Sequence, residues 1–126
     1  MAEIHESGEM YLETILVLKE QLGMVRSIDV AREMDFSKPS VSIGMKKLRD
    51  GGYIDVDEDG YISLTKSGMD VAKKIYERHK VLSSLLKHLG VDPDVATDDA
   101  CKIEHDISDE TFDAIKKFAK EHSIIE

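Results

Sequence analysis

Apolar positions recur at helical spacing early in the chain. Tyr11, Ile15, Leu18 and Leu22 predict an amphipathic helix from Glu9 to Leu22, ended by Gly23. A short helix is expected from Ser27, as N-cap, to Met34, with Ile28 and Ala31 facing inward. Ser37 caps a third helix, Pro39 suits its first turn, and Gly51-Gly52 ends it after Asp50. Tyr53-Ile54-Asp55-Val56 and Tyr61-Ile62-Ser63-Leu64 then alternate with period two around Asp57-Glu58-Asp59-Gly60. That pattern is a β-hairpin with Ile54, Val56, Ile62 and Leu64 on one inward face. Thr65 caps a long helix to Leu89, whose seam is Ala72, Ile75, His79, Leu82, Leu86 and Leu89, and Gly90 stops it. Asp92-Pro93 opens a helix to about Asp106, and Ser108 caps a last one through Lys120. The expected fold is mainly α: a winged helix-turn-helix domain over residues 1–70, then a helical domain over 71–126.

Composition narrows the class. The 126 residues include 17 basic and 26 acidic side chains, a formal net charge of −9. The charge is unevenly spread. Residues 1–35 carry −5, residues 36–90 carry +3, and residues 91–126 carry −7. A basic middle suits phosphates and the acidic ends suit cations. No apolar run approaches the ~20 residues of a membrane span, so no membrane association is expected. A single cysteine and an acidic, polar start point to the reducing cytoplasm.

Two short helices and a wing place the helix after Ser37 where it can enter a major groove of double-stranded DNA. Its core stripe is Val41, Met45 and Leu48. The candidate DNA-contacting set on its other faces is Ser37, Pro39, Ser40, Ser42, Ile43, Lys46 and Lys47. Small hydroxyls allow close approach to base edges, and lysines anchor phosphates. The acidic wing tip, Asp57-Glu58-Asp59, repels phosphate, so the wing either stays off the duplex or adds little.

Cys101, Glu104 and His105 fall at i, i+3 and i+4, which presents a thiol, a carboxylate and an imidazole on one helical face. Ala96, Ala100, Ile103 and Ile107 form the opposite, core face. A solvated acidic face that happens to hold a cysteine is the bland alternative. His79, within an apolar seam, reads as a core histidine or as a further donor. Met10 and Glu13 read as a core methionine and a solvated glutamate, or as a thioether and a carboxylate near the same chemistry. No Ser/His/Asp set, phosphate loop or second acid–base pair is present, so no enzyme is expected.

Glu9-Met10-Tyr11-Leu12, Lys38-Pro39-Ser40-Val41-Ser42, Leu64-Thr65-Lys66-Ser67-Gly68, Arg78-His79-Lys80, Asp99-Ala100-Cys101-Lys102-Ile103-Glu104-His105 and Ser108-Asp109-Glu110 run the length of the chain. Together they resemble the diphtheria toxin repressor family of metal-dependent transcriptional regulators, which includes the manganese transport regulators. The resemblance implies a homodimer that binds a palindromic operator when Fe2+ or Mn2+ is bound and represses metal-uptake genes. The second domain would then bind metal and dimerise, with Phe112, Ile115, Phe118 and Ala119 as candidate dimer contacts. An iron-type primary site would comprise Met10, Cys101, Glu104 and His105, while manganese-type members use positions matching Glu13 and His79. Ser83 and Thr97 stand where the iron branch has Glu and His, and Met10 and Cys101 stand where the manganese branch has carboxylates. Sulfur donors disfavour Mn2+ relative to an all-oxygen and nitrogen site, so Fe2+ is the favoured effector. At the reading helix, Ile43 replaces the glutamine of iron-type members. The rival expectation is a winged-helix regulator gated by an organic ligand or by oxidation of Cys101.

Overall fold

The structure, a computed structural model, describes residues 6–125. Its elements in order are α1 (Glu6–Leu22), α2 (Ser27–Met34), α3 (Lys38–Asp50), β1 (Ile54–Val56), β2 (Ile62–Leu64), α4 (Lys66–His88), α5 (Pro93–Ile103) and α6 (Asp109–Glu121). The chain divides into two compact units between Lys73 and Lys74.

In the first unit α1, α2 and α3 pack on one another, with the hairpin against α1 and α3. The core is Leu12, Ile15, Val25, Val30, Val41, Ile54 and Ile62, joined by Tyr11, Met45, Leu48 and Tyr53. β1 and β2 pair antiparallel with Ile54 opposite Leu64 and Val56 opposite Ile62, which puts the four apolar side chains on one face. Arg26 adds an antiparallel bridge to Tyr61, so the residues before α2 extend the sheet. Two close approaches need glycine. A Cβ at Gly44 would lie 2.5 Å from the Tyr11 ring, and one at Gly68 would lie 1.9 Å from the Tyr53 carbonyl oxygen.

The caps largely match the sequence pattern. Ser37 Oγ accepts from the Ser40 amide at 3.3 Å, and Thr65 Oγ1 accepts from the Gly68 amide while donating to the Gly52 carbonyl at 2.6 Å. Asp57 Oδ1 accepts from the amides of Asp59 and Tyr61, so this acid builds the wing turn.

Four expectations change. Arg26, not Ser27, is the N-cap of α2, because the Asp29 carboxylate accepts from the Arg26 amide at 2.9 Å. Ile28 is exposed, and Val30 with Ala31 fills the inward face. Leu22, the last residue of α1, and Leu89, one residue past the end of α4, are exposed as well, each at the edge of its unit's packing. Helix α5 stops at Ile103, so Glu104 is its C-cap and His105 lies beyond it.

In the second unit, Val81, Phe112 and Ala119 form a core flanked by Ile107, Ile115, Ile124 and Ile125. Phe112 and Ala119 are therefore committed to their own unit, which removes them as dimer contacts. Phe118 remains exposed, its ring 4.1 Å from that of His122. Among the described residues, no helix is long and apolar enough to cross a membrane.

Candidate metal centre and nucleic-acid interface

Asp92 starts α5: its carboxylate accepts from the amides of Asp94 and Val95, and Pro93 occupies the first turn. The helix buries Ala96 and Ala100 and ends with Glu104, whose amide donates to the Ala100 carbonyl at 3.0 Å. The terminal carbonyls meet a cation from α4. Arg78 Nη1 donates to the carbonyls of Glu104 at 3.0 Å and Ile107 at 2.8 Å. Arg78 Nη2 reaches Asp109 Oδ1 at 2.6 Å, where Lys74 also binds at 2.7 Å. Lys74, with Arg78 behind it, holds the Asp109 carboxyl below its ordinary range. One buried guanidinium thus ties both ends of the α5–α6 connection to α4.

The next residue on α4 carries the chemistry. His79 Nδ1 lies 2.9 Å from Glu104 Oε2 and 3.6 Å from Cys101 Sγ. Glu104 Oε1 is 3.3 Å from His105 Nε2, and both of those side chains are 1% exposed. The Glu104 carboxylate is therefore held between two imidazoles, while Cys101 stays exposed at the rim. Donor atoms of His79, Cys101 and Glu104 all lie within 4.8 Å of one another. Hydrogen bonding of the protonated His79 ring to Cys101 and then to Glu104 pushes the His79 pKa up to about 10, against the opposing effect of its burial.

A solvated acidic face does not describe this cluster, because Glu104 is fully buried. Burying a carboxylate is costly unless cations compensate it, and here a thiol and two imidazoles converge on it. Thiol, imidazole and carboxylate at this spacing fit a divalent transition metal. Met10 and Glu13 lie on α1 in the first unit and are partly buried. Thr97 Oγ1 donates to the Pro93 carbonyl, and Ser83 is buried on α4. Nothing in the sequence pattern marks Arg78 as part of the site except its place beside His79.

On α3, Val41, Met45 and Leu48 are buried, whereas Ser37, Pro39, Ser40, Ser42, Ile43, Lys46 and Lys47 are all exposed. Ile43 is 59% exposed, so its side chain is not consumed by the core. Ser37 Oγ also donates to Ser40 Oγ at 2.8 Å, which gives two of the candidate hydroxyls a structural partner in each other.

A helix-turn-helix with a wing and a separate helical unit holding a thiol–imidazole–carboxylate cluster define a metal-responsive DNA-binding regulator. Residues 3–62 match the iron dependent repressor N-terminal DNA-binding domain, and residues 65–123 match the iron dependent repressor metal-binding and dimerisation domain. The transcriptional regulator MntR of Escherichia coli O6:H1 is 35% identical over 112 residues, covering 89% of this chain and 72% of that protein. The diphtheria toxin repressor of Corynebacterium diphtheriae is 29% identical over 124 residues, 98% of this chain and 55% of its own. The solved structure of the manganese regulator SloR superposes with a TM-score of 0.80 at 30% identity, over 90% of this chain and 53% of that one. This chain thus spans about half the length of that structure. The chain belongs to the iron-dependent repressor family, whose members are metal-dependent transcriptional repressors and not enzymes.

Proposed function

We propose that the protein is a cytoplasmic homodimeric repressor that binds a palindromic operator when loaded with Fe2+, or alternatively Mn2+, and silences metal-uptake genes. The observation that carries this reading is the convergence of His79, Cys101 and Glu104 in the second unit. In this reading residues 1–70 form the DNA-binding domain and residues 71–126 the metal-binding and dimerisation domain.

His79, Cys101 and Glu104 would hold the ion, with His105 beside them. Met10 and Glu13 join this set on the family resemblance alone. A bound divalent cation supplies the positive charge that offsets the Glu104 carboxylate and the Cys101 thiolate. In its absence His79 supplies a positive charge beside the Glu104 carboxylate by holding a proton at Nδ1, 2.9 Å from Glu104 Oε2 and 3.6 Å from Cys101 Sγ. Metal loading therefore releases a proton. A sulfur donor beside imidazole and carboxylate favours Fe2+ over Mn2+. Exposed Leu89, Val95 and Phe118 offer apolar surface in the second unit for a partner subunit.

The regulatory leverage follows from linkage. At a hundredfold excess over Kd, metal binding stabilises the DNA-competent state by about 2.7 kcal/mol relative to a state that does not bind it. That corresponds to roughly two orders of magnitude in DNA affinity. Fluorescence anisotropy of labelled DNA from upstream of the source organism's metal-uptake genes, with metal and then with chelator, tests the reading. Binding that appears with Fe2+ and disappears on chelation is expected. Binding indifferent to both would refute metal control.

A further inference from the structure

We propose that Arg26 contacts a DNA backbone phosphate from the edge of the wing, beside Tyr61 where the turn returns into β2, so that a ring-fixed cation offsets the acidic tip next to it. The inference rests on the DNA-binding reading above and adds to it a residue from outside the reading helix. Arg26 is exposed and sits between the helix-turn-helix and the sheet. Its backbone bridges Tyr61, and the neighbouring Val25 carbonyl accepts from the Ile62 amide at 2.7 Å, which fixes the segment against β2. The guanidinium carbon lies 4.3 Å from the centroid of the Tyr61 ring.

Such stacking occupies one face of the guanidinium and leaves its N–H donors, which point outward in the plane, available to an anion. Among the described residues, no carboxylate pairs with that group. The Asp29 carboxylate instead takes the Arg26 backbone amide, and its other oxygen lies 4.0 Å from Arg32. The adjacent Ser27 lines a recess of about 240 Å³ together with Ile28, Lys38 and Ser42. Lys38 and Ser42 belong to α3 and are exposed, so the recess joins the reading helix to Ser27, the residue that follows Arg26. A cation fixed by an aromatic ring, next to hydroxyls and Lys38, suits a phosphodiester.

The test is the salt dependence of binding by the metal-loaded full chain to fluorescein-labelled mixed-sequence duplexes several turns long. Each phosphate contact contributes about 0.9 to the slope of log K against log salt on B-DNA. Arg26→Gln should make the slope shallower by about 0.9 per bound subunit, about 1.8 for the homodimer proposed above, on every sequence, and Arg26→Lys should keep the wild-type slope. Circular dichroism confirms that both variants are folded. An unchanged slope in Arg26→Gln overturns the proposal. Equal losses in both variants also overturn it, since they would trace the effect to the ring stack or the bridge and not to charge. A wild-type chain without salt-dependent DNA binding would instead refute the DNA-binding reading itself.

Discussion

Arg78→Met isolates the part played by the guanidinium that closes α5. Methionine preserves much of the aliphatic volume and removes every N–H. Two carbonyls then lose their donor, that of Glu104 in a buried position and that of Ile107 in a partly buried one. An unsatisfied buried acceptor costs about 1–3 kcal/mol, and the half-shielded Ile107 oxygen belongs at the lower end of that range. Asp109 adds nothing to the sum, because it is exposed and keeps Lys74. Relief of burying the guanidinium, whose Nε has no partner, offsets part of the loss, so a net destabilisation of about 1–3 kcal/mol is expected. Urea unfolding in chelator should show a lower midpoint with an unchanged m-value. Because Arg78 holds the backbone of Glu104, metal affinity should fall about 10–100-fold as well. Asp109→Asn, the control, should barely move either quantity. Wild-type stability and wild-type metal affinity in Arg78→Met would refute the idea that this side chain organises the site.

Three further outcomes follow from the geometry. The raised His79 pKa means that its stabilisation of the metal-free protein is complete below pH 6.5 and is lost as pH climbs through about 10. Metal must displace that proton, so metal affinity measured by competition with a chelator should rise by up to about tenfold per pH unit across this window, and a flat profile would contradict the assignment. Gly68→Ala should destabilise the first unit by about 3 kcal/mol in thermal melts, because the new Cβ meets the Tyr53 carbonyl. Ile43→Ala should leave stability within about 0.5 kcal/mol. The same variant should abolish any sensitivity of operator binding to thymine-to-uracil replacement, a sensitivity of up to about 1–2 kcal/mol in the wild type.

Local signals carried much of the architecture. A serine before Pro39, a pair of glycines after Asp50 and strict alternation around the wing are short-range features, and α3 and the hairpin stand close to where those features put them. The failures share a physical origin. Periodicity continues past the point where a core ends, so Leu22 and Leu89 looked inward but face solvent. A hydroxyl at Ser27 suggested a cap, whereas Asp29, three residues beyond Arg26, captured the Arg26 amide instead. The apolar stripe of α6 reads the same whether it covers its own α4 or a partner subunit, and Phe112 and Ala119 proved to do the former.

The candidate site divides in the same way. Cys101 and Glu104 are visible together because they lie three residues apart. His79 joins them from 22 and 25 residues away, a proximity that no spacing rule encodes and that only the family resemblance anticipated. Arg78 was harder still, since its carbonyl partners lie 26 and 29 residues downstream and accept through backbone atoms that leave no mark in the sequence.

The central claim is that metal at the His79–Cys101–Glu104 cluster and DNA at the α3 face are linked. Linkage is reciprocal: the factor by which metal tightens DNA binding must equal the factor by which DNA tightens metal binding. The most direct test measures Fe2+ affinity anaerobically with and without saturating operator duplex, in the wild type and in Glu104→Gln. The account predicts that DNA tightens metal binding by the factor found in the anisotropy titration, roughly two orders of magnitude, and that Glu104→Gln loses this effect while remaining folded. Metal affinity indifferent to DNA, or coupling that survives in Glu104→Gln, would contradict it.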